Sequence, residues 1–224
     1  KYIYVPANCS NIHIGNDCST ISLGTWDYTL NVTDVFIGNN CSGIGFDDVG
    51  YVSCFNISIG NTCMSINLWS DGADVSNVNI GNFCTNIEIS NPYDNTIGNG
   101  CTDIVSDYGS CFGDNCFNIS TTINCFFGQS CYNINSNGSN NTFGDRCNYI
   151  YFGGGYNTFG NDCDHIYGGA LGFDYNIFED KVKYVIFSKT RTSNTAETNR
   201  RDYCQYNLLK PGVRNVVIYS TTTP

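Results

Sequence analysis

The chain is short of nearly everything that catalysis and phosphate binding draw on. Of its 224 residues only 10 are Lys or Arg, two are His, one is Met and four are Pro. The histidines, His13 and His165, stand near opposite ends, so no Ser-His-Asp constellation can be assembled from local segments. Cationic residues are scarcest in the first four-fifths. Residues 1–180 hold 18 acids against Lys1 and Arg146, a net of −16, whereas residues 181–224 hold eight bases against Glu197 and Asp202, a net of +6. A shaft of that charge offers no basic groove for a phosphate backbone, which argues against a nucleic-acid partner. Cys-x-x-Cys is missing too. The tightest cysteine pairs are Cys111 with Cys116 and Cys125 with Cys131, so no zinc quartet forms, and neither metal nor cofactor is expected. No apolar run is long enough to cross a bilayer, so membrane insertion is not expected, and no signal-peptide pattern stands at Lys1.

What the chain has is repetition. The phrase Asn-x-Ile-Gly-Asn-x-Cys-x-x-Ile recurs nine times between Ile14 and Ile166, its frame opening at Ile14, Ile37, Ile59, Ile80, Ile97, Phe112, Phe127, Phe143 and Phe159. A degenerate tenth copy, Val5 to Ile12, precedes them. The frame cysteines Cys18, Cys41, Cys63, Cys84, Cys101, Cys116, Cys131, Cys147 and Cys163 are spaced by 23, 22, 21, 17, 15, 15, 16 and 16 residues. Periods this short leave no room for a helical hairpin, and β-branched or aromatic residues alternate with Gly and Asn. The expected fold is all-β: a parallel β-solenoid of about ten short coils over residues 1–178, in which Ile and Cys point inward and stack on their counterparts. The Gly-Asn step is expected to turn a corner, with Gly adopting positive φ and Asn bonding the next Asn along the stack.

The frame cysteines are expected to form a structural ladder of reduced thiols, since an inward thiol behaves as a small hydrophobe and parallel Cβ vectors suit a disulfide poorly. After Ile166 the phrase is expected to stop. Residues 179–224, with strand patterns at Lys181–Phe187, 203–209 and 213–220, are expected to form a basic cap or an oligomerisation segment, the latter through a homotrimer.

Two readings of chemistry compete. Paired acids could do glycosidase work, with Asp71 and Asp74 the best placed, yet they read more readily as turn residues around Gly72, and a lyase would need a cation that the array hardly supplies. Aromatics fit a surface better, because their faces bind sugar rings. Trp26, Trp69, Asp71 and Asp74, all in the insertions of the long early coils, are therefore the candidate glycan contacts.

From about residue 80 onward the chain resembles the Asn-Thr-Phe-Gly-Asn-x-Cys repeat proteins of Bacteroidales tailed phages, crAss-like phages included. The resemblance rests on Asn95-Thr96-Ile97-Gly98-Asn99-Gly100-Cys101, Asn141-Thr142-Phe143-Gly144-Asp145-Arg146-Cys147 and Asn157-Thr158-Phe159-Gly160-Asn161-Asp162-Cys163, with the strand-rich tail from Tyr203 to Thr223. It implies a non-enzymatic virion tail component, a fibre, spike or appendage, assembled in the host cytoplasm beside other tail subunits and contacting a host-surface carbohydrate. A glycan-cleaving tailspike and a bacterial surface adhesin are the alternatives.

Overall fold

In the computed structural model, residues 2–6, 8–23, 29–46, 51–69, 74–89, 92–169, 174–188 and 207–219 are described. They form strands and turns with no helix, wound as the expected parallel β-solenoid. Two sheets, each of 12 strands, line the winding. The first runs from Ile3–Val5 through Ser19–Leu23, Ser42–Gly45 and so on to Arg214–Tyr219. The second runs from Cys9–Ile14 to Leu208–Leu209, with the short strand Pro92–Tyr93 pairing beside Asp74–Ile80. Every neighbour is parallel, so each coil contributes one strand to either sheet and hydrogen-bonds to the coils above and below it, about 4.8 Å away.

Register sets identical positions on one another. In the first sheet Ile21, Ile44, Ile66, Ile87, Ile104, Ile119, Ile134, Ile150 and Ile166 pair in sequence and are buried. In the second sheet Ile14, Ile37, Ile59, Ile80 and Ile97 hand over to Phe112, Phe127, Phe143, Phe159 and Phe178. The exchange follows the shrinking period. Strands of this sheet fall from nine residues at Thr29–Ile37 to two at Thr142–Phe143, and a larger ring fills the core as the side shortens. The phenylalanines stack face to face, 4.7–4.9 Å between centroids.

Two expectations need correction. The first is that the winding continues past Ile166, so the coil count departs slightly from about ten. Strands Ile177–Phe178 with Lys183–Ser188, and Leu208–Leu209 with Arg214–Tyr219, extend the same two sheets. Their frames had lost the cysteine: Val182, fully buried, and the partly buried Val213 occupy its place, and the aliphatic substitution hides the repeat.

The second correction concerns glycine. The frame glycines do not have positive φ; left-handed residues stand instead just before the cysteine (Asp17, Asn40, Thr62, Phe83, Asn115, Ser130, Arg146, Asp162), two after it, and at further corners such as Asp34, Asn56 and Asn77. Glycine is required instead by close approach. A Cβ on Gly81 would lie 2.7 Å from the carbonyl carbon and oxygen of Gly60 and 2.6 Å from Asn61 Oδ1. The glycines of successive coils sit directly on each other, and any side chain there would push the coils apart.

Candidate functional surface

Two hydrogen-bonded ladders hold the Gly-Asn corner of the coils and a third lies inside the shorter coils, and together they consume many of the polar groups of the frame. The Asn after Gly accepts, through Oδ1, the backbone N–H of its counterpart one coil on. Asn16 to Asn39, Asn39 to Asn61, Asn61 to Asn82, Asn82 to Asn99 and Asn99 to Asp114 are joined in this way at 2.7–2.8 Å. The thiols form the second ladder. Each Sγ–H donates to the glycine carbonyl of the preceding coil: Cys63 to Gly38 at 3.4 Å, Cys101 to Gly81 at 3.3 Å, Cys131 to Gly113 and Cys163 to Gly144 at 3.2 Å. In the early coils Sγ also accepts the N–H of the preceding cysteine, as Cys63 does from Cys41 at 3.4 Å. The thiol thus acts as a directional linker as well as filler.

All thirteen described cysteines are free, and ten of them are buried. Burial alone pushes the Cys54 thiol up to about 12. The neighbouring thiols, hydrogen-bonded and repelling one another's charged forms, leave Cys116, Cys131 and Cys147 raised to about 12 and Cys101 to about 11. A thiolate nucleophile or metal ligand requires the reverse. Among the described residues no three His, Cys, Asp or Glu side chains converge as a metal site.

The third ladder escaped sequence reading because it lies inside. At the position held by Val35, Ile57 and Val78, the shorter coils place Asn95, Asn141, Asn157 and Asn176, all fully or nearly fully buried. Asn157 Oδ1 accepts the Asn141 N–H at 2.9 Å, and Asn176 Oδ1 accepts the Asn157 N–H at 2.9 Å. An amide here replaces the backbone partner that a sharper turn removes. The visible signal was the Asn that opens each Asn-Thr-Phe phrase.

The sequence-nominated glycan contacts are not brought together by described geometry. Trp26 and Asp71 lie outside the described residues. Asp74 opens the strand Asp74–Ile80 opposite Ser53, and its side chain is likewise outside them. Trp69 is described: it is 48% exposed, and its N–H is tied to Asn67 Oδ1 at 3.0 Å. Of the acids that could have formed a cleft, several are spent on ladders. Asp34 accepts from Asn56 at 2.9 Å, Asp103 from Asn118 at 2.7 Å and Asp145 from the Asn161 N–H at 2.7 Å.

The surface changes character at Tyr149. The left-handed residue two after the frame cysteine is Asn, Asp, Ser, Thr or Gly in all earlier coils, where Asn133 donates to Asn118 and Asn118 to Asp103, each at 2.7 Å. In three successive coils it becomes Tyr149, His165 and Tyr184, with φ of 54°, 51° and 48°. Their rings stack at 4.7 and 5.1 Å. Stacking hides the faces and leaves edges and hydroxyls outward, with Tyr149 56% and Tyr184 47% exposed. One column away Tyr151, 46% exposed, is paired in register with Tyr167 and extends across Gly169, its hydroxyl 2.5 Å from where a Cβ there would stand.

Comparison with protein-family models, curated proteins and solved structures returns no match to this chain.

Proposed function

We propose that this chain is a non-enzymatic structural component of a virion tail, a fibre, spike or appendage that contacts a host-surface glycan or a neighbouring tail subunit along its side. One observation carries the reading: the polar side chains of the frame are largely committed to ladders that stiffen a rod, while aromatic rings are displayed along its surface, three of them stacked in one column over successive coils. A rod that projects a fixed row of side chains suits attachment, where reach and repetition matter more than a closed pocket. The resemblance of the repeat phrase to phage tail proteins supplies the setting. Buried thiols held in the neutral form suit assembly in a reducing cytoplasm, and oligomerisation through residues 179–224 is part of the same proposal.

Labelled protein incubated with intact Bacteroidales cells of differing capsule type, with soluble reducing ends assayed in the same tubes, tests the reading. Strain-selective binding without sugar release is the expected result. Release would move the assignment to a tailspike enzyme, and binding to no strain would leave only an internal structural role.

A further inference from the structure

Aromatic side chains in the left-handed conformation are expensive. The region is sparsely populated by bulky residues, and the cost is of order 1–3 kcal/mol per residue. At this corner the fold has a better solution available, since Asn86, Asn118 and Asn133 occupy the same position and Asn118 and Asn133 bond their neighbours in the column. Tyr149, His165 and Tyr184 forgo those bonds in adjacent coils, and ring stacking offsets only part of the loss. In this column the departure spans three adjacent coils and ends at Asn215, and with the second left-handed stacked pair Tyr156 and Tyr175 it marks a surface kept for something other than folding.

The charges around the stretch identify what it would hold. Lys183, which precedes Tyr184 on its own strand, pairs in register with Arg214 on the next one. Neither makes an ion pair among the described residues, whereas Lys210 is tied to Glu179 at 2.7 Å and Arg146 to the Gln129 amide at 2.6 Å. On a chain whose first 180 residues carry a net of −16, Lys183 and Arg214 place two cations beside five exposed or half-exposed rings, while the one carboxylate next to them in register, Asp164, is turned to His165 Nδ1 at 3.2 Å. The rings are suited to sugars. Polar ring edges, phenol or imidazole, recur once per coil, about 4.8 Å apart, close to the advance of one pyranose in a chain. Tyr151, leaning over Gly169, offers a broader apolar surface than the stacked column beside it.

We infer that the flank formed by Tyr149, Tyr151, His165 and Tyr184, with Lys183 and Arg214, is a binding surface for a carboxylate-bearing polysaccharide running along the rod axis. Ring edges hydrogen-bond the sugar hydroxyls, Tyr151 packs on a pyranose face, and the guanidinium of Arg214 forks onto a uronate. This inference rests on the attachment reading given above and names the surface and the ligand class for it.

The test uses the full chain against immobilised polygalacturonate, alginate, hyaluronan and polysialic acid, with dextran as the neutral control. The wild type should bind at least one of the acidic polymers, more weakly as salt rises, and leave dextran unbound. The triple variant Y149N/H165N/Y184N restores the residue that other coils use, so its circular dichroism and melting temperature should be at least those of the wild type, while binding falls by about tenfold or more. K183Q/R214Q should lose affinity for the acidic polymers to a similar degree. Binding to none of the four acids, equal binding to dextran, or unchanged binding by the folded triple variant overturns the inference. Self-association abolished by K183Q/R214Q without polymer binding also overturns it, in favour of a second copy's acidic flank. If the triple variant still attaches to whole cells, the attachment reading survives and this surface is the wrong one. If the wild type binds a polymer but no cells, the surface stands and the attachment reading falls.

Discussion

Raising the pH should dismantle the rod through its thiols. Cys54, Cys116, Cys131 and Cys147 are held at about 12 and Cys101 at about 11, against an ordinary value of 9.0. A group raised in the folded state contributes its full stability below the unfolded value and loses it as pH climbs toward the folded one. The window is therefore pH 9 to about 11–12. Between pH 9 and 11 the unfolded chain releases these protons and the folded chain does not, so each thiol costs about 1.4 kcal/mol per pH unit. Five thiols together remove roughly 7 kcal/mol by pH 10, an amount comparable with the whole stability of an ordinary domain. Urea midpoints measured in reductant at half-unit steps from pH 7.5 to 10.5 should be flat to about pH 8.5 and then fall steeply. The double variant C116V/C131V borrows the residue that the array itself buries at Val182, and it should lower the slope by about two protons. A midpoint that does not move between pH 8 and 10, or a slope identical in the double variant, would refute the claim that these thiols are neutral linkers sealed from water.

Other outcomes follow from individual contacts. Gly81→Ala drives a Cβ into the Gly60 backbone and should destabilise by about 3 kcal/mol or more, whereas Gly15→Ala, with nothing within 4 Å, should stay within about 1 kcal/mol of the parent; thermal melts of the pair decide it. Asn157→Ala orphans the buried Asn141 N–H and also removes the Nδ2 bonds to Gly153 and Gly154, so it should cost about 3 kcal/mol. Asn95→Ala should cost about 1 kcal/mol less, since Asn95 Nδ2 is buried without a partner and only the Val78 N–H is orphaned, a difference that urea titration would resolve. Brief alkylation of the native protein with iodoacetamide, followed by peptide mass mapping, should label Cys9, Cys18 and Cys111 ahead of the ten buried thiols.

The winding was legible because solenoid coils expose their period directly. Once the cysteine spacings were aligned, inward Ile and Cys positions followed from strand alternation, and both ladders lie where that alternation puts them. The glycine was assigned to its place for the wrong reason: conformational freedom and close approach select the same residue, and only the position of Gly60 under Gly81 separates them. The left-handed sites were illegible because Phe83, Ser130 and Arg146 share one without sharing any chemistry; the stacked coils over-determine the backbone there. The last coils hid behind Val182 and Val213, which keep the volume of the thiol position and discard its signature. The sequence nominates aromatics of the long early coils for the surface, and of those nominated side chains only Trp69 is described. The row at Tyr149 would have stood out from one comparison, the residue two after each frame cysteine, where Asn gives way to rings.

The seating of glycine upon glycine makes length a counted quantity. Adjoining short coils meet through the same carbonyl, thiol and amide, so a gene that gains or drops one period of 15 or 16 residues joins two surfaces that already fit, and the rod grows or shortens by a single strand spacing. Recombination between near-identical repeats could thus tune reach in fixed increments while leaving the Tyr149 flank chemically untouched.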